Sequence, residues 1–252
     1  MNSNFAKYPS LNERHVFITG GATGIGESLV RHFAEQKSRV SFLDIAKQEG
    51  AELASELGTS VQFFHCDLRD IPSVQDCIQN AQLNFGPIRV LINNAARDDR
   101  HDIATFSSSD WDRCQEINLK PHFFTSQAVL SQMEISGGGS IINISSNSYI
   151  LMVGGMPGYL TAKAGIVGLT RGLARDLGPK NIRVNCILPG WVMTKRQEEM
   201  WLTPQAEEEL LRSQCLQSKL YPPDVSRLAL FLASDDSSMI TAQSYTVDGG
   251  RS

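Results

Sequence analysis

A chain of 252 residues that is 41% hydrophobic and 20% charged has the material for one large buried core and lacks the charge-rich balance of a disordered protein. Its formal net charge of −4 gives no polybasic face to displace counterions from phosphates, so nucleic acid is not an expected partner. No run of about 18 apolar residues is present to cross a membrane. The opening residues 1–11 lack the basic region and apolar run of a secretion signal, and Cys66, Cys77, Cys114, Cys186 and Cys215 form no CxxC pair. A cytoplasmic protein with reduced thiols is expected. The five histidines are scattered without metal-ligand spacing, so no metal site is expected.

Along the chain, short apolar runs alternate with stretches of helical period. A strand at 15–19 precedes a helix at 27–36, a strand at 39–43 a helix at 48–57, and a strand at 61–65 a helix at 71–84. The rhythm continues with strand 90–93 and one long helix over 111–133, strand 140–144 and helix 159–177, strand 183–187 and helix 224–233, and a last strand near 245–247. Short Val- and Ile-rich strands separated by helices imply a parallel sheet covered on both faces by right-handed crossovers. The expected fold is therefore α/β, a doubly wound Rossmann sheet of about seven strands, forming a single domain over 1–252. Residues 194–221 break the rhythm: they carry charged, aromatic and Gln residues and a helix start at Thr203-Pro204. An insertion of this length in a compact domain is expected to be a substrate lid.

Behind the first strand stands Thr19-Gly20-Gly21-Ala22-Thr23-Gly24-Ile25-Gly26, with a helix opening directly after it. Glycines there let the backbone turn tightly and approach a pyrophosphate, whose charge suits the free N–H groups and dipole of the helix start. Asp44 ends the second strand about 20 residues further on, where a carboxylate accepts hydrogen bonds from an adenosine ribose and repels a 2′-phosphate. NAD is thus favoured over NADP, with Lys47 the one nearby cation and helix capping the alternative role for Asp44. Asp67-Leu68 and Asn93-Asn94-Ala95-Ala96 end the third and fourth strands at the same carboxyl edge, where ligands of such sheets bind.

Tyr159 and Lys163 are four apart on an expected helix, so they share a face, and an ammonium beside a phenol is expected to pull the phenol's pKa down from about 10. Ser145-Ser146 ends a strand within reach of the same pocket. The ordered set Thr19-Gly20-x-x-x-Gly24-Ile25-Gly26, Asn93-Asn94-Ala95, Asn118, Ser146, Tyr159-x-x-x-Lys163 and Pro189-Gly190 resembles the motifs of the short-chain dehydrogenase/reductase family, from about residue 12 to 250. The resemblance implies that Tyr159 transfers the proton, that Ser146 bonds the substrate oxygen, and that Lys163 also holds the nicotinamide ribose. It further implies that Asn118 supports a water joining Lys163 to solvent, and that Val192 and Thr194 grip the carboxamide. Ala96 replaces a usual glycine and Arg89 stands where an aspartate often begins the fourth strand; both are expected at the rim of the site.

For the substrate, the run Arg97-Asp98-Asp99-Arg100-His101 reads first as a solvated loop with internal ion pairs, and second as a substrate contact. Trp191, Gln197 and Trp201 mix flat aromatic surface with hydrogen-bonding groups, as a sugar site requires, and Asn147, Tyr149, Met152 and Met156 flank the catalytic residues. Met152 and Met156 are as readily core residues. Segments outside the shared core, including Tyr8-Pro9-Ser10-Leu11, Thr194-Lys195-Arg196-Gln197-Glu198 and Gln214-Cys215-Leu216, resemble NAD-dependent aldose 1-dehydrogenases of the bacterial D-xylose group. That likeness implies oxidation of an anomeric hydroxyl to a lactone, and family likeness implies a homotetramer. The alternatives are a dehydrogenase of another secondary alcohol or polyol and a catalytically silent NAD-binding protein.

Overall fold

The computed structural model describes residues 5–252; residues 1–4, part of the segment weighed as a secretion signal, lie outside the described residues. Seven strands form one parallel sheet: β1 His15–Thr19, β2 Arg39–Asp44, β3 Val61–His65, β4 Val90–Asn93, β5 Gly139–Ile144, β6 Ile182–Pro189 and β7 Ser244–Val247. Their order is β3-β2-β1-β4-β5-β6-β7, so the winding reverses between β1 and β4 and opens a crevice at their carboxyl ends. The helices are α1 Gly24–Glu35, α2 Lys47–Leu57, α3 Ile71–Phe85, α4 Ser108–Asn118, α5 Lys120–Ile135, α6 Pro157–Leu177, α7 Lys195–Trp201, α8 Pro204–Ser213 and α9 Pro222–Ala233. No described helix is long and apolar enough to cross a membrane.

Alternation along the strands divides the core between the two faces. Val16 and Ile18 of β1, with Val40, Phe42, Val90, Ile92 and Ile142, pack against Leu29, Val30 and Phe33 of α1 and Val225 and Ala229 of α9. Phe17, Leu43, Leu91, Ile141 and Val184 face the other way, onto Val74 and Ile78 of α3, Val129 and Met133 of α5, and Ala174 and Leu177 of α6. Both faces are covered over the central strands, which is why β1 and β4 lack an exposed polar side, whereas the edge strand β7 exposes Ser244 and Thr246.

The single helix expected over 111–133 is two. Leu119 leaves helical geometry (φ −128°, ψ −54°) between α4 and α5, and Pro121 lies in the first turn of α5. A proline ring cannot follow the carbonyl four residues back in a continuing helix, so the chain restarts. In the new turn the His122 amide donates to the Leu119 carbonyl at 3.1 Å, which takes it away from the Asn118 carbonyl.

The 194–221 excursion contains two short helices. Thr194 caps α7 by accepting from the Gln197 amide, and Thr203 caps α8 by accepting from the Ala206 amide. A parallel bridge between Val192 and Leu220, with the Met193 amide donating to the Leu220 carbonyl at 2.8 Å, ties the two ends together. Arg89 corrects the sequence reading: it precedes β4 at the amino edge of the sheet, where it feels Arg14 and Asp235, and so lies at the opposite end from the crevice.

Candidate active site

The turn after β1 is shaped by glycines whose conformation or crowding admits no side chain. Gly24 sits at φ +59°, and a Cβ at Gly26 would lie 1.7 Å from the Gly20 carbonyl oxygen, so the helix start presses directly on the turn. Thr23 occupies the N-cap of α1 with extended backbone and makes no side-chain cap, so its hydroxyl does not take up the orphan amides of the first turn. Ile25 anchors the turn against the core. Asn94 Nδ2 donates to the carbonyls of Thr19 and Gly20, and Asn94 and Ala95 give their amides to Thr19 Oγ1, which clamps the loop after β4 onto the turn.

At the end of β2, Asp44 Oδ2 accepts from the Ala22 amide and Oδ1 from the Ala46 amide, each at 2.9 Å. One carboxylate thus braces the glycine turn and also serves the turn into α2, and each oxygen retains a lone pair for a ribose hydroxyl. The Arg69 guanidinium holds the Asp67 carboxyl below its ordinary range, and Leu68 packs on the core beside it. Across the crevice, the Gly190 amide donates to the Val247 carbonyl and Gly190 lies against Asp248. Val192 is buried, and the Thr194 methyl would lie 3.2 Å from a Cβ at Gly24, so the start of the excursion overhangs the turn. Cradle, carboxylate and overhang fit a dinucleotide lying across the switch point.

Beside this cradle stand Ser146, Tyr159 and Lys163. Ser145 donates to the Lys163 carbonyl at 2.6 Å and is buried, whereas Ser146 keeps partial exposure, accepts from the Ser148 amide at 3.1 Å and lies close enough to the Tyr159 phenol to draw its pKa down. Geometry therefore separates a packing serine from one left open to the crevice side. Lys163 Nζ donates to the Ile144 carbonyl at 2.9 Å and lies 5.5 Å from the Tyr159 ring centre. Burial lowers the Lys163 pKa to about 8, against the opposing pull of Cys186 and Asp98. His122, buried nearby, is pushed down to about 3 by burial and by the charge of Lys163, and so stays neutral.

The phenol itself runs against expectation. Burial, then the negative charge of Asp98, push the Tyr159 pKa well above its ordinary value, and the Ser146 hydroxyl and Arg100 only partly oppose them. Desolvation outweighs the neighbouring ammonium although Tyr159 is only half-buried, because Lys163 is itself desolvated and committed to Ile144. Asn118 uses its side chain structurally, accepting from the Arg97 amide at 2.8 Å and donating to the Cys114 carbonyl; the α4/α5 break frees its own carbonyl from the helical ladder.

Three groups outside the expected site turn out to position it. His101 Nε2 meets the Gly158 amide at 3.2 Å at the start of α6, one residue before Tyr159. Asp248 accepts from Asn147 Nδ2 at 2.9 Å and pins that buried amide from the C-terminal segment. Asp98 accepts from Gln197 Nε2 at 2.9 Å, while Gln197 Oε1 accepts from Trp191 Nε1 at 2.9 Å. The Arg100 guanidinium lies 5.3 Å from the Trp201 ring centre. The charged loop after β4 is therefore laced to α7; only Arg97 and Asp99 form the internal pair expected of a solvated loop. Of the two methionines, Met156 is buried and Met152 is 83% exposed, while Tyr149 packs on Ile166 and Leu188.

A doubly wound sheet with a nucleotide cradle at its switch point and a Ser-Tyr-Lys group alongside defines an oxidoreductase acting on CH–OH donors. Residues 20–252 match the family model described as enoyl-(acyl carrier protein) reductase. The chain is 44% identical over 248 residues to D-xylose 1-dehydrogenase of Caulobacter vibrioides, covering 97% of this chain and 98% of that one. It is also 44% identical over 249 residues to the protein named "Probable galactose dehydrogenase GalD" of Rhizobium meliloti, covering 97% of each. Among solved structures, 3-oxoacyl-[acyl-carrier protein] reductase of Brucella melitensis superposes with a TM-score of 0.89 at 28% identity, over 97% of this chain and 94% of that one. The chain belongs to the short-chain dehydrogenase/reductase family, and with it to the enzymes that use a nicotinamide cofactor.

Proposed function

We propose that this enzyme oxidises the anomeric hydroxyl of a cyclic aldose to the lactone, with NAD as the oxidant. The observation that carries the sugar reading is the 44% identity, over nearly the whole chain, to two proteins named as sugar dehydrogenases. The indoles of Trp191 and Trp201, tied through Gln197 and Arg100 to the charged loop after β4, support it, because a sugar ring offers both apolar C–H faces and hydroxyl donors. In this reading Tyr159 takes the proton from the sugar hydroxyl, Ser146 bonds the same oxygen, and Lys163 holds the nicotinamide ribose and the field around the phenol. Asn118 offers its free carbonyl to a water leading from Lys163 to solvent. The glycine turn, Asp44, Asp67-Leu68, Asn94-Ala95 and the Pro189-Gly190 to Thr194 segment hold the dinucleotide, which when bound supplies the hydride acceptor. The 194–221 excursion acts as the lid, and Asn147, next to Ser146 and held by Asp248, supports the substrate side of the site.

The test is reduced-nicotinamide formation with a panel of aldoses, polyols and hydroxyacyl compounds. Turnover of aldoses with detection of the lactone is expected; turnover confined to polyols or hydroxyacyl compounds would overturn the reading. Cofactor choice rests on Asp44, whose charge opposes a 2′-phosphate. Wild type should use NAD at least about tenfold more efficiently than NADP, and Asp44→Ala should narrow that gap. Equal efficiency of the two cofactors in wild type would remove Asp44 as the selector.

A cytoplasmic homotetramer is the assembly we infer. On α6, Ala162 is buried and Gly165 packs on Leu119 within the subunit, whereas Gly168 and Gly172 are exposed with open space before them, as a close helix contact between subunits requires. Light scattering at four times the 27.8 kDa chain mass is the corresponding measurement.

A further inference from the structure

Asp98 stands apart from its charged neighbours. Arg97 and Asp99 pair with each other at 2.6 Å and their side chains are 62% and 57% exposed, while that of Asp98 is 23% exposed. The bond to Gln197 turns the half-buried carboxylate toward α7 and the Trp191 indole, and its negative charge is felt by both Tyr159 and Lys163.

What holds it there is Gln197. The amide is fixed at both ends: its oxygen accepts from the Trp191 indole and its nitrogen donates to Asp98 Oδ2, each at 2.9 Å. With both polar ends used, Gln197 is a positioning residue rather than a free sugar ligand. Arg196 reaches Asp98 Oδ1 only at 3.5 Å, is shared with Asp99 at 3.6 Å, and is 47% exposed. A carboxylate offers about four acceptor sites, and one firm bond leaves most of them available.

An ionised carboxylate can only accept, so the groups it selects are donors. We propose that Asp98 is the specificity-determining residue of the pocket: its carboxylate, aimed by the Trp191–Gln197 pair, accepts a hydrogen bond from a sugar hydroxyl neighbouring the carbon that is oxidised. This rests on the aldose reading above. It also explains how a fold shared with reductases of acyl substrates would turn those substrates away. A ligand without the hydroxyl leaves a partly buried carboxylate unpaired, and sites built to bond a hydroxyl discriminate strongly against analogues that lack one.

The experiment compares wild type with Asp98→Asn and Gln197→Ala, using NAD, the preferred aldose and its series of singly deoxygenated analogues. Wild type should prefer the aldose over one of these analogues by about 10- to 100-fold, the range of a hydrogen bond to a charged group. In Asp98→Asn, which preserves size, that preference should collapse while the NADH dissociation constant stays within about twofold. The groups around the phenol are Asp98, Arg100, Cys114, Ser146 and Lys163, and removing the one carboxylate among them should move the acid limb of kcat/KM to lower pH. Gln197→Ala keeps the charge but frees its carrier, so it should weaken the preference without moving that limb. An Asp98→Asn enzyme with wild-type discrimination against every analogue overturns this inference alone. A wild type that oxidises no aldose overturns the sugar reading, and this inference with it.

Discussion

Tyr159→Phe is expected to lower turnover by about two to four orders of magnitude while the dissociation constant for NADH changes by no more than about twofold. The ring stays, so packing within α6 and against Lys163 is preserved; only the hydroxyl, to which we assign proton exchange with the substrate, is lost. Burial and Asp98 hold that phenol protonated well past neutrality in the free protein, so oxidation should also accelerate as the pH is raised from neutral. The same protonated phenol suits the reverse direction, where Tyr159 acts as the acid. Single-turnover measurement of NADH formation, alongside fluorescence titration of the cofactor, separates the two quantities. Retention of more than about a tenth of wild-type turnover would remove Tyr159 from its role.

The parts of this molecule legible in its sequence are those governed by local pattern. Strands such as Val16-Phe17-Ile18 and Leu91-Ile92 announce themselves because both faces of a parallel sheet are buried, and the glycine turn because few other residues could occupy it. The α4/α5 break had a signal, Pro121, which the apolar periodicity on either side concealed. The direction of the Tyr159 shift had none. Spacing places Lys163 beside the phenol, but how far both are desolvated depends on segments that meet only in the folded chain. Asp98 illustrates the same limit. In sequence it is one of four charges in a row, and the bond that distinguishes it comes from Gln197, 99 residues later. Ser145 and Ser146 are equivalent by composition, and the Lys163 carbonyl separates them by engaging only the first.

Gly26→Ala should be the most damaging substitution in the cofactor cradle, for a reason independent of any bound group. The added methyl would fall 1.7 Å from the Gly20 carbonyl oxygen, 2.7 Å from its carbon and 2.9 Å from Asn94 Nδ2. None of these can step aside cheaply. The first two are backbone in a turn at φ +66°, and the Asn94 amide is bonded to two carbonyls. Overpacking among adaptable side chains costs about 1–3 kcal/mol, so a clash with fixed backbone should reach at least the top of that range. For a chain of this size, about 3 kcal/mol corresponds to a fall in Tm of roughly 6–12 °C. Relief can come only by pushing α1 away from β1, which would also spread the first-turn amides and weaken NADH binding by at least about tenfold. Gly154→Ala is the matched control: its Cβ meets nothing within 4 Å and its φ is not positive, so both readouts should stay at wild-type values. A Gly26→Ala protein that melts with wild type and binds NADH equally well would mean that the turn and helix are not in the close contact described.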